Sequence, residues 1–162
     1  MKCRRRASDR RSACGATGGH WAVLDFIQGA QEIRMTITLN HTIVFVRDKK
    51  ASSKFLTDLF GLPPAKPFGP FLAVQVGEVT LDFDEVEDAS MGHYAFLVSE
   101  AEFDTIFGRI RERKLPYWAD PFKDKPQEIN RHDGGRGVYF DDPSGHKLEI
   151  ITRPYGSGSL KS

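Results

Sequence analysis

The chain has 162 residues, a length suited to one domain or to two small halves sharing a core. Its 40% hydrophobic and 28% charged content fits a soluble globular protein, and a net charge of +1 excludes global attraction to nucleic acid or anionic lipid. No stretch reaches the ~18–20 apolar residues that a membrane span needs, so no membrane partner is expected, and the lack of cysteines beyond the first 34 residues suits a reducing cytoplasm.

The charge is unevenly spread. Residues 1–34 carry seven basic side chains (Lys2, Arg4, Arg5, Arg6, Arg10, Arg11, Arg34) against Asp9, Asp25 and Glu32, a net of +4, which leaves −3 for residues 35–162. Both cysteines, Cys3 and Cys14, lie in this leader, so the remainder has no disulfide and no thiolate ligand. The apolar run from Trp21 to Ile27 is short and broken by Asp25, which makes a poor signal-peptide core. The leader reads as a disordered basic segment, or as sequence upstream of a true start at Met35. A nucleic-acid-binding arm would interleave aromatic residues with its arginines, and this one does not, so no nucleic-acid partner is expected.

From Thr36 to Val46 both alternating sets are β-branched or apolar, which predicts a strand covered on both faces. Asp48 caps a helix with Phe55, Leu56, Leu59 and Phe60 at helical spacing, stopped by Gly61 and Pro63-Pro64. A weak strand near Pro64 to Phe68 precedes a hairpin of Phe71–Val76 and Val79–Glu85 joined across Gly77-Glu78. The same order then returns. His93 to Val98 is a strand, and Ser99 with Glu102 three residues on gives a capping box. Phe103, Ile106, Phe107 and Ile110 form the apolar stripe of the helix that follows. Tyr117-Trp118 is a short strand, residues 120–135 a long polar loop, and Gly137–Asp141 and Lys147–Thr152 two strands about an Asp-Pro-Ser-Gly turn. Residues 154–162 read as a disordered tail.

The fold expected is therefore α+β, two tandem βαβββ modules at about 36–88 and 89–153 within a domain spanning 35–153. Leu39-Asn40-His41-Thr42-Ile43-Val44-Phe45-Val46 opens the first module and Met91-Gly92-His93-Tyr94-Ala95-Phe96-Leu97-Val98 the second. Each closes on a strand with an acid in its middle, Asp82 or Glu149. His41 and His93 are 52 residues apart and Asp82 and Glu149 are 67 apart; the 15-residue difference matches the extra loop between Trp118 and Gly137. Period-two alternation turns Leu81 and Phe83 one way and Asp82 the other, and likewise Leu148 and Ile150 against Glu149. Helices must cover the apolar faces, which leaves the acids on the open concave face, where a carboxylate needs a positive partner. Taken singly, a strand histidine is more often a satisfied core residue and a strand glutamate more often an ion-pair partner. Together, His41, His93 and Glu149 point to a divalent metal site, with Asp82 a possible fourth ligand.

Other side chains carry weaker signals. His132 in the long loop is a candidate for acid–base chemistry. Arg131 and Arg136 are candidates for orienting an anionic substrate. Tyr94, Trp118 and Tyr139 are candidates for a pocket wall. His146 is expected to brace its turn or stay exposed. Gly134-Gly135-Arg136-Gly137 is too weak a pattern to invoke phosphate binding.

The openings Leu39-Asn40-His41 and Gly92-His93, with the run from Gly137 to Ile150, resemble the vicinal oxygen chelate superfamily over about Thr36 to Arg153. That group includes glyoxalases, extradiol dioxygenases, fosfomycin resistance enzymes and bleomycin resistance proteins. The resemblance implies a cup-shaped mixed sheet around a metal, usually in a homodimer, with the family's ligands on His41, His93 and Glu149. It places the fourth glyoxalase ligand on Asp82, where glyoxalases carry Glu, so the His-His-Glu set matches dioxygenases and fosfomycin-modifying enzymes better. The implied chemistry is bidentate chelation of a small oxygenated substrate to a divalent cation, iron, manganese, nickel, cobalt or zinc. The competing reading is a metal-free protein that sequesters a drug or other small molecule in the same cup.

Overall fold

The computed structural model describes residues 37–158; the basic leader and the last four residues of the expected tail lie outside them. The first module runs β1 (His41–Val46), α1 (Lys49–Phe60), β2 (Lys66–Phe68), β3 (Phe71–Val76) and β4 (Val79–Glu85). The second runs β5 (His93–Leu97), α2 (Glu100–Glu112), β6 (Tyr117–Trp118), β7 (Gly137–Asp141) and β8 (Lys147–Ile151). Each module closes its own four-stranded mixed sheet, ordered β1-β4-β3-β2 and β5-β8-β7-β6, with the opening and closing strands paired in parallel. The α+β architecture of two βαβββ modules stands as read from the sequence.

Local chemistry explains the helix ends. The Asp48 carboxylate accepts from the backbone N–H groups of Lys50 and Ala51, both at 2.9 Å, and Gly61 ends α1 in the left-handed conformation at φ 71°. Ser99 and Glu102 form the expected capping box, Ser99 Oγ accepting from the Glu102 N–H and the Glu102 carboxylate accepting from the Ser99 N–H. The helices are also tied to each other: Arg109 of α2 donates to the Leu59 carbonyl at 2.9 Å, satisfying an orphan group at the end of α1. A Cβ on Gly61 would lie 2.8 Å from that guanidinium, the movable end of a long side chain, so it is the positive φ that calls for glycine there.

The two modules share one core. Val44, Val46, Leu56, Leu59, Val74, Leu81 and Phe83 from the first join Phe103, Ile106, Ile110, Val138, Phe140, Leu148 and Ile150 from the second. β1 departs from expectation. It begins at His41 instead of Thr36, and only Val44 and Val46 are buried while His41, Ile43 and Phe45 are exposed. β1 is an edge strand with α1 against one face, and within the described residues nothing lies over the other.

Two further segments differ from the sequence reading. The polar stretch 120–135 is folded back, with the Asp120 carboxylate accepting three backbone N–H groups and bridges pairing Trp118 with Pro126 and Asn130 with Gly137. The expected disordered tail is, through Gly158, a strap bound to the second module. The Asp133 carboxylate accepts from the Gly156 N–H at 3.0 Å and from the Gly158 N–H at 3.1 Å.

His146 is 2% exposed and does more than brace its turn. Its Nδ1 accepts from the Gly92 N–H and its Nε2–H donates to the Phe45 carbonyl, each at 2.8 Å. Those partners make it a neutral ring bonded to the end of β1 and the start of β5, and so a bracket between modules. His146→Ala leaves both backbone groups unpartnered beside a cavity, and a loss of about 2–4 kcal/mol is expected in equilibrium urea unfolding. A loss below about 1 kcal/mol would contradict the bracket.

Candidate metal centre

Strand register shows how far the duplication extends. Across the first sheet Ile43, Asp82, Ala73 and Lys66 form one row; across the second, Ala95, Glu149, Tyr139 and Trp118 form its counterpart. Directly paired residues share a face, and His41 and His93 stand two residues before Ile43 and Ala95 on that same face. Each module therefore places one imidazole and one carboxylate on the face opposite its helix.

In the second module the two meet. His93 Nε2 lies 3.1 Å from Glu149 Oε2, and the imidazole is about half exposed while Glu149 is 0% exposed. The expectation that this acid lines an open surface needs correction, because Tyr155 of the strap covers it. The Tyr155 hydroxyl donates to Glu149 Oε1, and the Tyr139 and Tyr155 hydroxyls are 3.0 Å apart. Since Tyr155 has one proton and gives it to Glu149, Tyr139 is the donor in the second bond, and the three side chains form a directed relay. Burial first pushes both phenols above their ordinary range; the bond to Tyr155 adds to this for Tyr139, while for Tyr155 the bond to Glu149 raises and the bond from Tyr139 lowers.

The donor set suits a divalent cation. An imidazole nitrogen and a carboxylate oxygen bound at right angles to one cation at about 2.1 Å lie about 3.0 Å apart, close to the observed spacing. His93 and Glu149 would hold such an ion, with Tyr155 taking the carboxylate oxygen turned away from it.

The first module supplies different fittings. His41 is exposed, and its Nδ1 lies 2.9 Å from the Asn40 side-chain oxygen. That oxygen only accepts, so Nδ1 is the donor, which leaves Nε2 as the nitrogen that a neutral ring would turn to a metal. Asp82 is 4% exposed, and its Oδ1 is buried with no hydrogen-bond partner. A cavity of about 450 Å³ lies over these residues, lined also by Lys66, Gln75 and Thr80. Among the described residues of one chain, no three His, Cys, Asp or Glu side chains converge. His41 and Asp82 thus stand on one sheet and His93 and Glu149 on the other.

The weaker candidates separate clearly. Tyr139 belongs to the relay, and its ring centre is 5.8 Å from that of His93. His132 stacks edge-on against Tyr155 at 5.9 Å on the rim of a cavity of about 390 Å³ that also touches Ala119, Asp120, Pro121, Asp133 and Tyr139. Arg136 is corrected: it donates to Glu100 and Asp104 at 2.6 Å each and lies over the Phe103 ring, so its guanidinium is committed to clamping α2. Sequence reasoning missed two residues. Lys147 pairs with His93 across β5 and β8, is buried, and reaches Asp141 at 2.6 Å while lying over Trp118. Tyr155 was hidden in a segment whose composition reads as a tail; Pro154-Tyr155-Gly156, an aromatic held between turn-formers, was the available signal.

Comparison with known proteins gives the family and the fold. Residues 38–150 match the family described as the Glyoxalase/Bleomycin resistance protein/Dioxygenase superfamily. A solved structure named Oxidase ChaP-H2 is 58% identical, covers 77% of this chain and 100% of its own, and superposes with a TM-score of 0.74. Glutathione transferase FosA of Serratia marcescens is 29% identical over 72% of this chain and 81% of its own length. Fosfomycin Resistance Protein FosX from Mesorhizobium loti, 21% identical over 72% of this chain and 92% of its own with a TM-score of 0.54, shares the fold.

The orphaned Asp82 carboxylate gives a test by sign. In metal-free protein, Asp82→Leu is expected to raise stability by about 1 kcal/mol, because a buried oxygen without a hydrogen-bond partner is replaced by apolar volume. Destabilisation by a similar amount in denaturant titration would show that the carboxylate has a partner in solution.

Proposed function

The chain belongs to the glyoxalase/bleomycin resistance protein/dioxygenase superfamily, and from that premise we propose that it is a metal-dependent oxidase of a small oxygenated organic molecule, working as a homodimer. The observation that carries this reading is the His93–Glu149 pair, a half-exposed imidazole against a wholly buried carboxylate on the face opposite the helices. The 58% identity to a protein named an oxidase, across that protein's full length, favours oxidation over the thiol transfer named for the 29% identical FosA.

His93 and Glu149 of one copy, with His41 of a second, would hold the cation; Asp82 is a further candidate ligand. The bound ion would supply Lewis acidity toward substrate oxygens and, for iron, manganese or cobalt, a change of oxidation state. The chain's own residues supply the rest. Asn40 keeps His41 in the ligating tautomer, Tyr155 orients Glu149, and Lys147, paired with Asp141, stands directly across from His93 on β8. Exposed apolar side chains on the two opening strands support pairing with a second copy. Phe45 is 47% exposed on β1 and Leu97 is 61% exposed on β5, and each strand is the edge of its sheet. No helix among the described residues is long and apolar enough to cross a membrane.

His93→Ala is expected to abolish both bound divalent metal, read by elemental analysis, and metal-dependent oxidation in a screen of oxygenated small molecules. Unchanged metal content would reject the assignment, metal-free tight binding of a small molecule would favour the sequestering reading, and consumption of fosfomycin with glutathione would favour thiol transfer. Mixing His41→Ala and His93→Ala chains separates sites built across copies from sites built within one. Random pairing restores about a quarter of the sites in the first case and none in the second.

A further inference from the structure

We infer that Tyr155, carried on the strap Pro154–Gly158 and clamped there by Asp133, is the positioning residue for the Glu149 carboxylate. This rests on the metal-site reading above and adds to it a residue outside the duplicated modules.

Glu149 is without solvent, so its rotamer and the direction of its lone pairs are set only by protein donors. Two are present. His93 faces Oε2 and the Tyr155 hydroxyl faces Oε1. With Oε1 taken, the carboxylate has one oxygen left on the His93 side, which selects one-oxygen ligation and fixes the angle at which that oxygen meets an ion. Tyr139 donates in turn to Tyr155, holding the phenol in line.

The strap is built for this task. Past the end of β8 the chain has no ladder to hold it, and Asp133 takes over. Each of its carboxylate oxygens accepts one strap N–H, from Gly156 and from Gly158. Both strap glycines are needed. Gly156 has φ 78°, and a Cβ on Gly158 would come within 2.6 Å of Asp133 Oδ1. The Ser157 N–H and hydroxyl both donate to the Pro154 carbonyl, closing the turn that presents Tyr155, and the His132 ring braces its aromatic face. Asp133 itself sits at φ 54°, a conformation that Asp and Asn tolerate better than most residues. A loop aspartate, two glycines and a tyrosine thus converge on one oxygen of one glutamate. Outer partners that orient ligands in this way commonly change metal affinity by about 10- to 100-fold when removed.

The test uses full-length protein and Co²⁺ as probe. For Tyr155→Phe, which deletes only the hydroxyl, Co²⁺ should bind about 10-fold more weakly in chelator competition. The visible d–d bands of the bound ion should change shape, and the metal-free unfolding midpoint should move little. Asp133→Asn, which keeps the backbone conformation but cannot accept both strap N–H groups, should shift affinity the same way by a smaller factor. Equal Co²⁺ affinity and unchanged bands in Tyr155→Phe would overturn the positioning role while leaving the metal site intact. Absence of Co²⁺ binding by the unaltered protein would overturn the metal reading and the role together. A lowered metal-free midpoint with unaltered affinity would reduce Tyr155 to a packing residue and also overturn it.

Discussion

A carboxylate removed from water must be met by something positive or by hydrogen-bond donors, and Glu149 states that requirement most sharply in this molecule. It is 0% exposed in the middle of β8, with the apolar neighbours Leu148 and Ile150 turned into the core on the other side. A buried charge of this kind costs several kcal/mol unless its surroundings are arranged for it. The surroundings answer with an imidazole on one oxygen and a phenol on the other. The parallel pairing of β5 with β8 delivers the imidazole, the folded-back loop delivers Asp133, and Asp133 delivers the strap that carries the phenol.

The duplication gives the same constraint a second, unanswered form. Asp82 occupies the rung equivalent to Glu149 and is nearly as buried, yet its Oδ1 meets no donor. Among the described residues its own module has no counterpart of the strap, and its histidine, His41, is exposed and bonded to Asn40. One module thus carries a completed pair and the other carries separate fittings on an edge strand with uncovered apolar side chains. Such an arrangement is consistent with a chain that finishes its site against another copy, since a site divided between two sheets is assembled only when the correct edges meet.

Much of the fold was legible because its signals are local. The Asp48 cap, the Ser99–Glu102 capping box, the Gly61 stop and the hairpin at Gly77 each depend on residues within a few positions of one another. Alternation about Asp82 and Glu149 also gave the right faces, since it follows from strand geometry alone. Solvent exposure was not legible. β1 looked two-sided because Ile43 and Phe45 are apolar, but alternation along one chain does not tell an apolar side chain buried in its own core from one exposed on an edge strand. Glu149 was expected on an open surface because the strap that covers it is held by hydrogen bonds that its Gly156 and Gly158 N–H groups donate to Asp133, 23 and 25 residues earlier in the chain. Arg136 misled for a similar reason: its partners Glu100 and Asp104 lie on α2, more than thirty residues away.

The central claim is that His93 and Glu149 are two ligands of one cation. Anomalous diffraction from crystals grown with a divalent transition metal addresses it directly. The account predicts a peak at about 2.1 Å from both His93 Nε2 and a Glu149 carboxylate oxygen, with a third imidazole nitrogen from His41 completing the set. A map in which the metal lies elsewhere, with His93 and Glu149 still bonded to each other, would contradict it.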